Sequence, residues 1–140
     1  EISACLVGSE MCIRDRHRSQ IKKERNQNKD TRPSAKLSYA RMSAQKAGFV
    51  LDAIRGKDVQ TALGILAYNP RYASSVIEKL LKSAIANAEN NNGMNPENLY
   101  VEECFANKAT TMKRIRPRAR GMAYRIEKRM CHITVILNER

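Results

Sequence analysis

A run of positive charge lies between two segments of strand-forming residues, and this arrangement constrains the fold more than any other feature of the chain. From Ala106 to Gly121 there are six basic residues and no acid. The flanking residues 99–105 and 132–137 are rich in β-branched and aromatic side chains, which favour strands. Folded back near Pro117, they would pair as a hairpin with arms of about 14 residues, roughly 45 Å long. Such an extension cannot bury its own surface and needs a partner to order it.

The charge of the chain indicates what that partner is. The 140 residues carry a net charge of +12, from 26 basic and 14 acidic side chains, and residues 106–140 alone hold ten bases and two acids. A clustered excess of positive charge creates a local field that attracts phosphates, so nucleic acid is the first candidate. A membrane surface is the second, but the basic segment has no helical apolar stripe and no run approaches the ~18 apolar residues of a span. We therefore expect no membrane partner.

The four cysteines indicate neither a metal site nor a cofactor. They are Cys5, Cys12, Cys104 and Cys131, and no two have a Cys-x-x-Cys spacing, so zinc is not expected. With a turn near Pro117, Cys104 and Cys131 could be cross-strand neighbours, either as a disulfide or as two reduced thiols. Residues 1–16 contain acids and no sustained apolar core, so we expect no secretory signal, and the reduced state is the favoured alternative.

The amino-terminal quarter of the chain has little pattern. Residues 1–16 have neither helical nor strand period and resemble translated adaptor sequence, so we expect them to be a non-native artefact. Residues 17–33 are polar and basic with one aliphatic residue, which predicts a flexible basic arm. Residues 34–140 are expected to form a single domain with an extended hairpin over residues 100–136 and a tip at about 112–121.

The predicted domain has an α+β fold, with three helices packed on a small antiparallel sheet and a long protruding β-hairpin. Residues 36–42 alternate loosely at period two and predict a short strand. Ser43 and Asp58 are suited to cap the first two helices, and Asn69-Pro70 to open the third, which ends at Gly93. The expected apolar faces are Ala47, Val50, Leu51 and Ile54, then Val59, Ala62, Leu63 and Leu66, then Ile77, Leu80, Leu81, Ala84, Ile85 and Ala88.

Few residues could support catalysis. An enzyme needs an acid, base or nucleophile beside an orienting group, whereas His17 lies in the predicted arm and His132 begins a strand with no accompanying Asp or Ser pattern. The sequence has no glycine-rich phosphate loop and no His-Glu-x-x-His motif. We predict that the chain is not an enzyme, and a cationic hydrolase is the most remote alternative.

The alternating arginines favour RNA. Arg114, Arg116, Arg118 and Arg120 would share one face of an extended arm, and arginine both grips phosphate and stacks on splayed bases. The first two helices, joined by Gly56-Lys57, resemble a helix-turn-helix unit, so a DNA-binding regulator with a basic wing is the alternative. Its second helix, however, offers only Gln60 and Thr61 as polar readers, fewer than a recognition helix normally presents.

From about Arg32 onward, nearly four fifths of the chain, the sequence resembles the family of bacterial large-subunit ribosomal protein twenty-two, the universal L-twenty-two family. The resemblance is carried by residues 40–43 (Ala-Arg-Met-Ser), 51–57 (Leu-Asp-Ala-Ile-Arg-Gly-Lys), 82–88 (Lys-Ser-Ala-Ile-Ala-Asn-Ala) and 113–121 (Lys-Arg-Ile-Arg-Pro-Arg-Ala-Arg-Gly). The carboxyl-terminal signature is present in Lys113, Arg118, Ala119, Gly121, His132, Ile133, Val135 and Leu137. Two departures are Met122, where the family usually has a basic or polar residue, and Ala44-Gln45, where Pro-Arg is common.

The resemblance implies a structural constituent of the ribosome that binds large-subunit (23S) ribosomal RNA and supports subunit assembly. It further implies a hairpin that lines the nascent-polypeptide exit tunnel and influences macrolide sensitivity. The implied partners are that RNA, neighbouring large-subunit proteins and the nascent polypeptide, and the implied localisation is cytoplasmic and ribosome-bound.

The site residues expected from charge and resemblance together fall into two sets. The RNA-binding set is Lys36, Arg41, Lys46, Arg55, Lys57, Lys82, Lys108, Lys113, Arg114, Arg116, Arg118, Arg120, Arg125, Lys128, Arg129 and His132. The tunnel-lining tip is Arg114, Ile115, Arg116, Pro117, Arg118, Ala119 and Arg120.

Overall fold

A computed structural model of the chain describes residues 18–25 and 31–140. The chain divides into two compact units, residues 1–31 and residues 32–140. Within the first unit, residues 18–25 form helix α1, a regular element that the flexible arm predicted for residues 17–33 did not include. The expected artefact at residues 1–16 lies outside the described residues and stays a prediction.

The second unit begins two residues earlier than predicted. Its first residue, Arg32, forms ion pairs with Glu102 and Glu103, whose carboxylate oxygens lie 2.8 and 3.1 Å from Nη1. The next residue, Pro33, is buried, and its carbonyl accepts a hydrogen bond of 2.9 Å from the Leu137 backbone N–H. These contacts join the end of the predicted arm to the folded domain.

The second unit has the order strand, three helices, four strands. Its elements are β1 (Ser34–Ala40), α2 (Ala44–Ile54), α3 (Val59–Tyr68), α4 (Tyr72–Asn92), β2 (Leu99–Lys108), β3 (Met112–Pro117), β4 (Ala123–Lys128) and β5 (Cys131–Glu139), with short 3₁₀ turns at Pro96–Asn98 and Ala119–Gly121. The α+β class is therefore confirmed, with four described helices instead of three.

The helices of this unit bury the apolar faces that their spacing predicted. All the expected core positions of α2, α3 and α4 are buried except Leu63 and Ile85, which are partly buried at the edge of the core. The long helix α4 ends at Gly93, whose φ of 64° is the left-handed conformation that glycine adopts without a steric penalty. Ser43 and Asp58 occupy the predicted cap positions of α2 and α3, but neither side chain makes a capping hydrogen bond.

Two predicted boundaries were wrong by two residues. Helix α4 begins at Tyr72 and not at Pro70, because the Asn69 carboxamide oxygen accepts a hydrogen bond of 3.2 Å from the Arg71 N–H and forms a turn before the helix. Strand β1 spans Ser34–Ala40 and not residues 36–42, because its pairing with β5 starts at Ser34 and passes through an irregularity between Leu37 and Ala40. Tyr39 lies in that irregularity with a φ of 57°.

The strands form two separate antiparallel sheets. The first has three strands in the order β1-β5-β2, and the second consists of β3 and β4 alone. Helices α2 and α4 pack on the first sheet, and its central strand β5 buries Cys131, Ile133, Val135 and Leu137 in an aliphatic core. We call this sheet with α2, α3 and α4 the body, and residues 112–128 the distal hairpin.

The hairpin differs from its prediction in length and in the position of its turn. The innermost pair is Pro117 with Ala123, so the chain reverses around Arg120 and not at Pro117. The lower parts of both predicted arms are body strands, which leaves six residues of β3 free of the body, about 20 Å at ~3.3 Å per residue and not the expected 45 Å. The reason is that β2 and β5 bury aliphatic side chains, whereas β3 and β4 do not.

The same register separates the two cysteines of the body. Cys104 is paired with Val135, and Cys131 with Lys108, so the cross-strand pair that a turn near Pro117 predicted was wrong. Both are buried free thiols in this structure, and the reduced state stays a prediction.

Candidate nucleic-acid interface

The distal hairpin presents nearly all of its side chains to solvent. Every residue of β4, and every residue of β3 except Met112, is exposed. The segment contains seven bases and a single acid, Glu127. Strand formation here follows from pairing between β3 and β4 and not from burial, because neither strand packs extensively on the body. The result is a narrow cationic ribbon attached to the body by one end.

The two faces of the distal hairpin differ in composition. Arg114 is paired with Ile126, and Arg116 with Tyr124, and directly opposed residues of an antiparallel pair share a face. One face therefore alternates guanidinium groups with apolar side chains. The other face carries Lys113, Ile115 and Arg125, and Ile115 is 73% exposed.

The predicted ladder of four arginines on one face is only partly right. Arg114 and Arg116 share a face of β3, but Arg118 follows the end of that strand and Arg120 lies in the turn with a φ of 60°. A left-handed residue reverses the chain, so strand alternation cannot continue to Arg120. The Arg118 backbone N–H donates to the Met122 carbonyl at 2.8 Å, and its guanidinium lies 6.0 Å from the centre of the Tyr124 ring.

A cleft of about 1080 Å³ lies between the root of the distal hairpin and the helices of the body. We call it the root cleft. Six of its fourteen lining residues are basic and one is acidic. They are Arg41, Met42, Ser43, Lys46, Phe49, Arg71, Tyr72, Ala73, Met112, Arg114, Glu127, Lys128, Arg129 and Met130.

The structure thus brings together five predicted site residues that lie far apart in sequence. Arg41 follows β1, Lys46 lies on α2, and Arg114, Lys128 and Arg129 belong to the hairpin root. Each of them was predicted for its charge, and their position along one cleft was not predicted.

Two other predicted site residues contact the protein itself. The Arg55 Nη2 donates to the Cys104 carbonyl at 2.9 Å and pairs with Asp52 at 3.0 Å. Lys82 pairs with Glu78 at 2.7 Å, one helical turn away.

His132 contacts β1. Its Nδ1 accepts a hydrogen bond of 3.1 Å from the Tyr39 backbone N–H, and the two rings meet edge to face at 4.6 Å. The contacts of His132 with Tyr39 lie at the irregularity of β1. The ring therefore has a structural role. The remaining predicted cations Lys36, Lys57 and Lys108 are exposed at β1, before α3 and at the end of β2.

Sequence reasoning missed the aromatic residues of the interface and one cation. Phe49 and Tyr72 line the root cleft and are 67% and 70% exposed, and the Arg71 guanidinium lies 5.8 Å from the Phe49 ring centre. One signal was present in the sequence, since Phe49 falls outside the apolar spacing of α2. The body core contains no aromatic side chain among its described residues, so its aromatics lie at or near the surface.

The chemistry of the two body thiols is that of buried structural groups. Burial raises the pKa of the Cys104 thiol, and the Arg55 guanidinium offsets part of that rise. The Cys104 Sγ donates a hydrogen bond to the Leu51 carbonyl at 3.3 Å, and this bond favours the protonated thiol. Burial also raises the pKa of Cys131. Thiols of this kind are poor nucleophiles at neutral pH.

The described part of the chain also bears on three other kinds of function. Among residues 18–25 and 31–140, no group of three or more His, Cys, Asp or Glu side chains lies close enough to bind a metal ion. Within those same ranges no helix is both long and apolar enough to cross a bilayer. For the helix-turn-helix alternative, α3 carries no basic residue and buries Val59, Ala62 and Leu66 against the body, so it offers little to a DNA groove.

Comparison with known proteins identifies the family. The family described as "Ribosomal protein L22p/L17e" matches residues 35–138. Proteins named "Large ribosomal subunit protein uL22" from Lachnoclostridium phytofermentans and Lachnospira eligens are 80% and 78% identical over 124 residues, which is 89% of this chain and 97% of each relative. The protein of that name from Acetivibrio thermocellus is 56% identical over 119 residues, 85% of this chain and 94% of the relative. These are ribosomal proteins and not enzymes, in agreement with the prediction, and the chain belongs to the ribosomal protein L22p/L17e family.

Proposed function

We propose that this protein is a structural component of the large ribosomal subunit that binds its ribosomal RNA through the distal hairpin and the root cleft. The observation that carries the proposal is the fully exposed distal hairpin, with seven bases against one acid. A two-stranded ribbon of that charge has no core to stabilise it and is marginal alone in water. Folded RNA supplies both the counter-charge and a surface to pack on.

The high identity to proteins named for the large ribosomal subunit supports the same assignment. Ribosomal RNA is irregular, and it is recognised mainly by its shape and its phosphates, with stacking on bases that are not paired. Arginine suits both modes because its planar fork binds phosphate oxygens in pairs and also stacks. Five of the seven bases in the distal hairpin are arginines, at positions 114, 116, 118, 120 and 125.

We further propose that the tip of the distal hairpin lines the exit tunnel for nascent polypeptides. A ribbon about 20 Å long with one free end can reach into RNA from a body that stays at the surface. The tip residues Arg116, Pro117, Arg118 and Arg120 are exposed, so they are available to a passing chain once the lower strands are bound. Neighbouring ribosomal proteins and the nascent polypeptide are the other expected partners.

The salt dependence of RNA binding tests the first proposal. Replacing Arg114, Arg116, Arg118 and Arg120 with Ala should flatten the log-log slope of affinity against salt by roughly 3, since each phosphate contact contributes about 0.7 to 0.9. The measurement is a titration of wild type and variant against a large-subunit RNA fragment at several salt concentrations. Circular dichroism of the unbound proteins checks that the body stays folded.

A matched pair of single substitutions provides the control. Arg118→Ala removes one exposed hairpin charge and should lower the slope by about 0.7 to 0.9. Lys79→Ala removes one exposed charge on α4 and should leave it unchanged. Equal slopes for wild type and a folded fourfold variant would place the binding charge on the body and contradict the proposal.

A further inference from the structure

The root cleft combines a cationic surface with exposed aromatic side chains. Its cations come from four separate parts of the fold, namely the segment after β1, α2, the start of α4 and the hairpin root. Its one acid, Glu127, lies 3.7 Å from the Arg129 guanidinium, so the cleft as a whole remains strongly positive. A concave positive surface focuses the field and selects an anionic occupant.

The aromatic side chains indicate which anion fits. Phe49 and Tyr72 are about two-thirds exposed although they lie beside buried Met42 and Ala73, so their rings contribute little to the core. Arg71 lies 5.8 Å from the Phe49 ring centre, near the outer limit of a cation–π contact. A contact of that length on an exposed ring is weaker than stacking of a nucleobase, so a base could replace it and leave Arg71 to a phosphate.

The size of the root cleft suits a short oligonucleotide. Its volume of about 1080 Å³ is just above the roughly 300–1,000 Å³ typical of small-molecule sites. A duplex presents its bases stacked and out of reach of a protein ring, whereas a bulge or loop can place one outside the stack. An acidic peptide would use the cations but gives no reason for two exposed rings.

We propose that the root cleft binds an unpaired stretch of RNA, with one base stacked on Phe49 or Tyr72 and adjacent phosphates held by Arg41, Lys46 and Arg71. The inference rests on the proposed function, since it names the form of RNA that the cleft takes. The root cleft would then have a different role in RNA binding from the distal hairpin, which binds phosphates without requiring unstacked bases.

Affinity for two defined RNAs tests this assignment. The probes are a single strand of eight uridines and a blunt RNA duplex of eight base pairs, titrated at one salt concentration against the full chain. Phe49→Ala removes a ring and no charge, and it should weaken binding of the single strand by about fivefold or more while leaving duplex affinity within about twofold. Phe49→Tyr should restore the affinity. Tyr68→Ala is the matched control, because Tyr68 is 92% exposed and lies outside the cleft.

The position of the base can be measured separately. A single strand that carries 5-iodouridine should cross-link on irradiation to Phe49 or Tyr72, as located by mass spectrometry of the digested protein. Cross-links found only at the distal hairpin would overturn the inference. Equal losses of affinity for the single strand and the duplex in Phe49→Ala would overturn it as well. If an Arg41→Ala, Lys46→Ala, Arg71→Ala variant loses binding to hexaglutamate and keeps its affinity for the single strand, the cleft belongs to an acidic protein instead.

Failure of the inference can be distinguished from failure of the proposed function. One outcome is that Phe49→Ala and Tyr68→Ala have the same affinity for the single strand while the fourfold arginine variant still shows a flatter salt dependence of RNA affinity. In that case the protein binds RNA and the cleft does not take an unpaired base. If wild type binds neither probe nor the large-subunit fragment, the proposed function fails and the inference fails with it.

Discussion

The paired strands β2 and β5 of the body and the paired strands β3 and β4 of the distal hairpin are built from different residues. In the body, β5 alternates buried Cys131, Ile133 and Val135 with partly exposed neighbours, and β2 does the same. In the distal hairpin, β3 and β4 continue the same antiparallel pairing with almost every side chain exposed. Hydrogen bonding between strands is therefore common to both regions, and burial of apolar side chains is confined to one.

This difference means that the body and the distal hairpin are stabilised in different ways. Complete burial of a branched aliphatic side chain contributes about 1.5 to 3 kcal/mol, so the body has its own source of stability. The distal hairpin lacks that contribution, and its seven bases repel one another until an anion lies against them. We therefore expect the body to fold unaided and the distal hairpin to be ordered by a partner.

The boundary between the regions is visible in the backbone. Residues 109–111 and 129–130 separate the two sheets, and the Ala109 N–H donates to the Met130 carbonyl at 3.0 Å. A single bridging hydrogen bond holds the ribbon to the body less firmly than a continuous ladder would. The root cleft lies at this same boundary, with Met112 and Met130 in its wall.

The largest expected effect tests the body half of the comparison. Ile133 is fully buried on the central strand between Leu37 and Ala106. We expect Ile133→Ala to lower the free energy of unfolding by about 2 to 5 kcal/mol, because it removes buried methyl groups and leaves a cavity. Urea denaturation followed by circular dichroism measures the change. A loss below about 1 kcal/mol would mean that β5 is not part of the stable core.

Much of the body could be predicted from local pattern. The apolar spacing of α2 and α4 placed Leu51, Ile77 and Leu81 in the core because a helical period of 3.6 residues decides which side chains share a face. The turn of the hairpin could not be placed in this way. Pro117 suggested a reversal, but the register is fixed by pairing along the whole ribbon, and the left-handed residue is Arg120.

The candidate site also has one portion that the sequence predicted and one that it did not. The charge run of the distal hairpin is contiguous in sequence, so composition alone predicted it. The root cleft joins Arg41, Phe49, Arg71 and Arg129, which lie far apart along the chain. Only the packing of α2 and α4 against the sheet brings them together, and no local pattern encodes that packing. Arg55 and Lys82, by contrast, were found with partners inside the protein, which charge alone could not reveal.

A second, smaller effect concerns the body thiols. The pKa values of Cys104 and Cys131 are raised above the ordinary 9.0 by burial, so the folded state keeps protons that the unfolded state loses at higher pH. Their contribution to stability is therefore full below about pH 9 and decreases as the pH rises above it, by at most about 1.4 kcal/mol per pH unit for each thiol. Unfolding free energies measured between pH 7.5 and 10.5 should show this decrease.

The double variant Cys104→Ala, Cys131→Ala isolates the thiols from other groups that titrate at high pH. Its unfolding free energy should fall less steeply with pH than that of wild type, although its stability at pH 7.5 is lower because two buried side chains are shortened. Parallel pH profiles for the two proteins would show that burial does not hold these protons.

The smallest expected effect tests the hairpin half of the comparison. Ile115 is the same residue type as Ile133, but it lies on β3 of the distal hairpin, where it is 73% exposed and paired with Arg125. We expect Ile115→Ala to change the free energy of unfolding by less than about 0.5 kcal/mol, because little apolar surface returns to water. The measurement is the same urea denaturation used for Ile133→Ala, so the two isoleucines form a matched pair. A loss above about 1 kcal/mol would mean that the distal hairpin is stabilised within the free protein, and the claim that it depends on a partner for its order would be wrong.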